Sequence, residues 1–138
     1  MKICAIDLKA NNTILVVVEK NDDLIDYIDL KIKKIELEDD AVQENIIAYS
    51  KSINEFLQEN NIEQVLIKKR AKKGSFSGGA NTFKVESIIQ LNTVCKVELI
   101  SPQAINAFEK KNNIEFPRNL KKYQEQAYLA ALASLEKQ

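Results

Sequence analysis

Continuous apolar runs open the chain, at residues 2–8 and 13–18, and the turn-forming pair Asn11-Asn12 lies between them. Short apolar runs of this length, with β-branched residues in the second, predict two paired strands buried on both faces. From residue 24 to residue 35, apolar and charged positions alternate. That period of two predicts a third strand, solvated on one face and close to a sheet edge.

A helical period follows. Asp40 with Gln43 three residues later predicts an N-cap and its capping-box partner. Asn60-Asn61 is expected to end this helix. Its apolar positions recur on one face at helical spacing, and they are Val42, Ile46, Tyr49, Ile53, Phe56 and Leu57.

The second half of the chain alternates between strand and helix patterns. Strands are predicted at 64–68 and 95–100, a helix from about Asn81, a helix opened by Ser101-Pro102, and a last helix from about 119 to 136. A meander followed by strand–helix–strand crossovers predicts an α/β fold. We therefore expect one domain over 1–138, with a mixed five-stranded sheet, its first three strands an antiparallel meander, and helices on both faces.

The composition of the chain limits the kinds of chemical site that it can form. The 138 residues suit one domain, and no apolar run is long enough for a membrane span. Without a signal-peptide pattern at the start, and with Cys4 and Cys95 inside apolar strand-like runs, two buried thiols and a cytoplasmic location are expected. The chain has no histidine. Any metal would need carboxylate oxygens, which favour Mg²⁺, Mn²⁺ or Ca²⁺.

Charge is balanced overall but unevenly distributed. Residues 19–63 hold 13 acids and 5 bases, whereas residues 64–138 hold 13 bases and 6 acids. This asymmetry fits a surface with two electrical faces, or solvated faces that differ by chance. The zero net charge argues against a strong non-specific DNA binder.

The only three glycines are Gly74, Gly78 and Gly79, in one lysine-rich segment. Gly78-Gly79 leads into the helix predicted from Asn81, and the unpaired N–H groups of a helix start favour an anion. Three readings stay open: a phosphate site, a protein-binding loop, or a solvated turn. Phe76 could stack on a base. The bases expected around a phosphate are Lys69, Arg70, Lys72, Lys73 and Lys84.

Asp7 is the only charged residue in the apolar run 3–8. A carboxylate inside a buried strand costs several kcal/mol unless it is paired, hydrogen-bonded or bound to a metal. It is therefore a candidate metal ligand or catalytic acid. The alternative is that it ends the strand and caps the turn toward Asn11.

The order of elements, the segment KICAIDL at 2–8 and the segment QEQAYLAALA at 124–133 resemble the ribonuclease H-like fold, most closely the RuvC-like Holliday-junction resolvases. That resemblance implies a nucleic-acid partner and a Mg²⁺- or Mn²⁺-dependent nuclease site, with Asp7 and Glu125 as metal-binding and catalytic acids. The stretch 72–86, with ISP at 100–102, is similar to the signature of a small bacterial family of this fold whose function is undefined.

Two of the four acids that the resemblance implies are missing. Tyr128 stands where one is expected, and Lys68 or Lys69 where the other is expected at the end of a strand. Asp7 and Glu125 alone would hold one ion weakly, because a two-metal mechanism needs several carboxylates. Lys69 could place an ammonium where a metal would bind, and Glu86 could supply a replacement carboxylate.

Two functions from different classes therefore compete. The first is a nucleic-acid-interacting protein, either a nuclease or a degenerate binder, with Asp7 and Glu125 beside the basic glycine-rich loop. The second is a non-catalytic homo-oligomeric interaction module, a homodimer for example, which the missing acids and the charge asymmetry favour. A nucleotide-binding role is weak, since Ala80-Asn81 replaces the Lys-Ser/Thr of a phosphate-binding loop.

Overall fold

The computed structural model of the chain describes residues 1–70 and 80–136. It contains six strands, four α-helices and one short 3₁₀ turn within those ranges. In chain order they are β1 Lys2–Lys9, β2 Asn12–Asn21, β3 Leu24–Ile28, β4 Lys34–Glu36, α1 Gln43–Glu59, β5 Gln64–Lys68, α2 Ala80–Gln90, β6 Lys96–Ile100, α3 Pro102–Lys111, the 3₁₀ turn Lys122–Gln124 and α4 Glu125–Glu136.

All six strands join one mixed sheet in the order β3-β2-β1-β5-β6, with β4 also paired to β2. The pairs β1–β2, β2–β3 and β2–β4 are antiparallel, whereas β1–β5 and β5–β6 are parallel. The first strand is therefore central, flanked by β2 on one side and by β5 on the other. Its carboxyl end lies beside that of β5, because parallel strands end at the same edge.

Helices cover both faces of this sheet, as expected. Alternate side chains of β1 point into two separate cores. Cys4 and Ile6 pack with residues of α1 and α2, whereas Ile3 and Ala5 pack with residues of α3 and α4. The small side chains of α4 allow it to lie close to the sheet, and its buried alanines are Ala127, Ala130, Ala131 and Ala133.

The expected five-stranded sheet was wrong by one strand, because the strand predicted over 24–35 is divided. It is interrupted between Ile28 and Lys34, where Lys33 binds Asp29 at 2.9 Å and donates to the Leu30 carbonyl at 2.5 Å. These two contacts of Lys33 lie in the segment that separates β3 from β4. The two strands pair with different halves of β2. The hydrogen bond and the ion pair that Lys33 forms with Asp29 lower the pKa of the Asp29 carboxyl group.

Two helix starts differ from the prediction. No side chain caps α1, whose N-cap residue is Val42, because Asp39 accepts from Ala41 N–H at 3.1 Å and Asp40 pairs with Lys84. The last helix begins at Glu125, later than expected, since the buried side chain of Gln124 bonds to β2 rather than to solvent. The predicted Ser101 cap is confirmed: its hydroxyl oxygen accepts from Ala104 N–H at 3.1 Å.

Both cysteines are free thiols, Cys4 buried and Cys95 partly buried. Burial raises the pKa of each above the ordinary value for a thiol. Low thiolate content makes both poor nucleophiles. No helix in the described ranges has the length and apolar character needed to cross a membrane.

We predict that Tyr49→Phe destabilises the fold. The Tyr49 and Thr13 hydroxyls are buried and hydrogen-bonded to each other, linking α1 to β2. Losing the phenol oxygen leaves the Thr13 hydroxyl without this partner, so the free energy of unfolding should fall by about 1–2 kcal/mol in urea. The double variant Thr13→Val with Tyr49→Phe should lose less than the sum of the two single variants. Strict additivity would contradict the interpretation.

Candidate functional site

Asp7 lies near the carboxyl end of β1 and is 1% exposed. Period-two alternation puts its side chain on the face of Ile3 and Ala5, which is the face covered by α4. Within the described residues, neither carboxylate oxygen has a hydrogen-bond partner. Such burial is unfavourable unless opposite charge stands nearby.

Two cations supply that charge. Lys9 Nζ lies 3.8 Å from Asp7 Oδ2, and Arg70 Nη1 lies 3.8 Å from Asp7 Oδ1. Both distances exceed those of a hydrogen bond, so the donors of the two bases are not committed to the carboxylate. The Arg70 side chain is 23% exposed and that of Lys9 is 50% exposed. An incoming anion can therefore reach both bases, whereas Asp7 itself is covered.

The start of α4 lies over this part of the sheet. Gln124 donates to the Leu15 carbonyl at 3.0 Å, and Lys68 Nζ donates to Gln126 Oε1 at 3.1 Å. Leu15 and Ile67 are the two neighbours of Ile6 in the sheet, one on each side of β1. The residues before and after Glu125 thus contact the strands that flank β1, level with the end of β1.

Glu125 itself is half-buried in the first turn of α4. Among residues 1–70 and 80–136 it forms no ion pair. Topology therefore brings the start of α4 to the carboxyl end of β1, on the face to which Asp7 points. Whether Glu125 and Asp7 act together stays a prediction.

Tyr128, at the position where an acid is expected, is 8% exposed and belongs to the core. Its ring packs edge-on against Tyr27 and Phe116, with centroid separations of 6.2 and 6.0 Å. Burial raises the pKa of its phenol. The side chain is therefore neutral at ordinary pH and acts in packing, not as an anionic ligand.

Lys69 and Glu86 are the two residues considered for the position of the missing acid, and neither lies beside Asp7 as expected. Lys69 is exposed, and Arg70, one residue later, is the base near Asp7. Glu86 belongs to α2, which packs on the sheet face opposite α4. The strand β5 ends at Lys68, Lys69 N–H still donates to the Ile100 carbonyl of β6 at 2.8 Å, and Arg70 Nη1 lies 3.8 Å from the carboxylate.

The remaining predicted phosphate ligands divide into two groups. Lys84 is already paired: Nζ lies 3.5 Å from Asp40 Oδ2 and donates to the Asp40 carbonyl at 2.5 Å. Lys72, Lys73, Gly78 and Gly79 lie outside the described residues, as do Gly74 and Phe76.

Sequence reasoning missed Lys9 and the bond between Lys68 and Gln126. Lys9 follows Asp7 by two positions, so strand alternation alone would have placed both on one face. Lys68 and Gln126 are 58 residues apart, and no local pattern links them.

The residues present do not fit a two-metal centre. No group of three or more His, Cys, Asp or Glu side chains in the described ranges is positioned to hold an ion, and segments 71–79 and 137–138 contain none of these residue types. Two-metal catalysis requires several carboxylates around ions about 4 Å apart. A divalent ion at Asp7 would also meet Lys9 and Arg70, which occupy its surroundings.

The fold is that of the RuvC-like, ribonuclease H-like proteins. Thermus thermophilus RuvC superposes with a TM-score of 0.73 at 13% identity, covering 96% of this chain and 92% of that one. The same protein in complex with a Holliday junction substrate gives 0.64 at 16% identity, covering 96% and 91%. The Fowlpox virus resolvase with Holliday junction DNA gives 0.61 at 17% identity, covering 99% and 98%.

The chain belongs to the family described as "Protein of unknown function (DUF3010)", whose model matches residues 1–134. No curated protein matches the sequence. The predicted fold class and the predicted relationship to a family of undefined function are both confirmed.

We predict that Asp7 and Arg70 are energetically coupled. Asp7→Asn should lower the free energy of unfolding by about 1–3 kcal/mol, because it leaves two bases beside a buried neutral group. Arg70→Met should also destabilise, since it leaves the carboxylate with Lys9 alone. Urea unfolding of both variants and of the double variant measures the coupling, expected at about 1–2 kcal/mol. Additive effects within error would show that the 3.8 Å pair contributes nothing to stability.

Proposed function

We propose that this protein binds nucleic acid through backbone phosphates at the carboxyl end of β1, and that it does so without a two-metal cleavage centre. The observation that carries the proposal is the buried Asp7 carboxylate with Arg70 and Lys9 each 3.8 Å away. The carboxylate holds two cations at one place, and both keep donors for an external anion.

The charge around this site supports a polyanion as ligand. Lys68 is at the end of β5 on the same face, and Arg70 is followed in sequence by Lys72 and Lys73. Phosphate contacts from lysine and arginine provide most of the affinity of non-specific nucleic-acid binding. The role of the glycine-rich loop, with Gly78 and Gly79, as part of this surface remains a proposal.

Asp7 and Glu125 are the two acids that this chain retains of the expected carboxylate site. With only these two acids, the site would at most bind one Mg²⁺ or Mn²⁺ weakly, and Arg70 and Lys9 oppose such binding electrostatically. The enzymatic alternative to this proposal is a Mg²⁺- or Mn²⁺-dependent nuclease, in which Asp7→Asn would abolish cleavage. The two free thiols agree with the proposed cytoplasmic location.

Branched DNA is the first ligand to test, since two of the superposed resolvase structures contain Holliday junction DNA.

We predict that Arg70→Ala weakens binding to a fluorescent four-way junction at low salt, whereas EDTA does not. The dissociation constant should rise about 5- to 10-fold, and the slope of log K against log salt should fall by about one, as for loss of one phosphate contact. Lys96→Ala is the control, because Lys96 is 65% exposed and lies at the amino end of β6, at the sheet edge opposite the carboxyl end of β1. Equal effects of the two variants would contradict the proposed site. So would metal-dependent cleavage that Asp7→Asn abolishes.

A homo-oligomeric interaction module is the second candidate, and an apolar groove between α1 and α2 favours it. The groove has a volume of about 540 Å³ and is lined by Ile46, Ile47, Ile88 and Leu91 among others. Leu91 is 78% exposed and Ile47 59% exposed. Lys51 and Glu55 lie on the same rim, 3.9 Å apart. In an antiparallel two-fold contact, Lys51 of one copy would face Glu55 of the other, so a second copy fits the charges.

We predict a concentration-dependent dimer in sedimentation velocity, weakened at least about 10-fold by Leu91→Gln, a cost of the size expected for a buried apolar anchor. Leu24→Gln is the control, because Leu24 is 66% exposed on β3, away from this groove. A wild-type monomer at all concentrations would remove the second candidate. That result would not affect the proposed nucleic-acid binding by the bases beside Asp7.

A further inference from the structure

Lys34 and Tyr123 form a cation–aromatic pair that the site described so far does not use. Lys34 Nζ lies 5.2 Å from the centroid of the Tyr123 ring. Lys34 is exposed and Tyr123 is half-exposed. Tyr123 belongs to the 3₁₀ turn that leads directly into α4. An aromatic face with a base above it is therefore accessible from solvent at the start of α4.

This pair lies in line with the phosphate site. Asp7 pairs with Ile14, and Ile14 pairs with Lys34, so the three residues form a row across β1, β2 and β4. Ile35 packs into the core under α1 and α2, so its neighbour Lys34 points to the opposite face, the face of α4 and Asp7. Two strand spacings separate the backbones of Asp7 and Lys34, roughly 10 Å.

We infer that Tyr123 and Lys34 form a stacking subsite for an unpaired base of single-stranded or branched nucleic acid whose phosphates contact Arg70 and Lys9. This inference rests on the proposed function and specifies its ligand: an unpaired strand is bound in preference to a continuous duplex. A roughly 10 Å separation is spanned by a short oligonucleotide, since single-strand sites in other proteins cover about 4–16 nucleotides.

The chemistry of the pair suits a base better than a second phosphate. Every base has a π-face, so a tyrosine ring binds bases with little sequence preference. Lys34 lies over the ring in the free protein, and a stacked base would displace its ammonium toward an adjacent phosphate. Glu36, exposed on the same strand, would weaken a purely electrostatic site, but a neutral base is insensitive to it.

Tryptophan fluorescence tests the stacking directly. The chain has no tryptophan, so Tyr123→Trp places the variant's only tryptophan at the subsite. We expect an oligothymidine of about 12 nucleotides, within the usual range of single-strand sites, to quench that emission. Quenching should follow the same saturation curve as binding measured by anisotropy. An abasic oligonucleotide of equal length should bind without quenching, because it carries the phosphates and no bases.

Leu24→Trp is the matched control, since Leu24 is 66% exposed on β3 and, by strand alternation from Ile28, lies on the sheet face opposite α4; its emission should not change. Tyr123→Ala should raise the dissociation constant for the oligonucleotide about 5- to 150-fold, the cost of losing one stacked base. Tyr123→Phe should stay within about twofold, because it keeps the ring.

The outcomes distinguish a failure of the stacking subsite from a failure of the proposed function. Binding of the oligothymidine without quenching at Tyr123→Trp, or unchanged affinity in Tyr123→Ala, overturns the stacking subsite and leaves phosphate binding at Arg70 intact. No binding of either oligonucleotide or of the four-way junction by the wild-type protein overturns both the subsite and the proposed function.

Discussion

A buried carboxylate that has no hydrogen-bond partner among residues 1–70 and 80–136 constrains the arrangement around the end of β1. Asp7 is 1% exposed, and the opposite charge near it comes from Lys9 on its own strand and Arg70 beyond β5. Burying such a group is tolerable only with opposite charge close by. Arg70, two residues beyond the end of β5, therefore has to lie within reach of the carboxyl end of β1.

The same constraint explains how a resolvase-like fold can differ in chemistry from a two-metal enzyme. In such a site, clustered carboxylates repel one another and bind cations from solution. In this chain the cations are covalently part of the protein, and the carboxylates near β1 are few. The site thus pairs a buried carboxylate with two bases, whereas a two-metal centre holds metal ions between carboxylates. That change in electrostatics requires only a few side chains and leaves the sheet and helices as they are.

The patterns of the sequence predicted most of the architecture because they reflect local rules. Continuous apolar runs identified the buried strands β1, β2 and β5, and the Ser101-Pro102 pair identified the start of α3. The errors occurred where side chains from distant segments compete with local preferences. Asp40 pairs with Lys84 rather than capping α1, and Gln124 bonds to β2, so that α4 starts late. The interruption between β3 and β4 depends on a local ion pair that an alternating pattern does not reveal.

By itself, the sequence determined the central strand with its single acid, the absence of histidine, the shortage of carboxylates and the gathering of lysine and glycine after β5. Only the tertiary structure decided which bases neutralise Asp7 and that Lys84 is already paired with Asp40. It also decided that Lys34 and Tyr123 lie on the same face of the sheet as the site. The reason is physical: burial and strand patterns are properties of neighbouring residues. Ion pairs and shared surfaces depend on how strands and helices far apart in the chain are packed together.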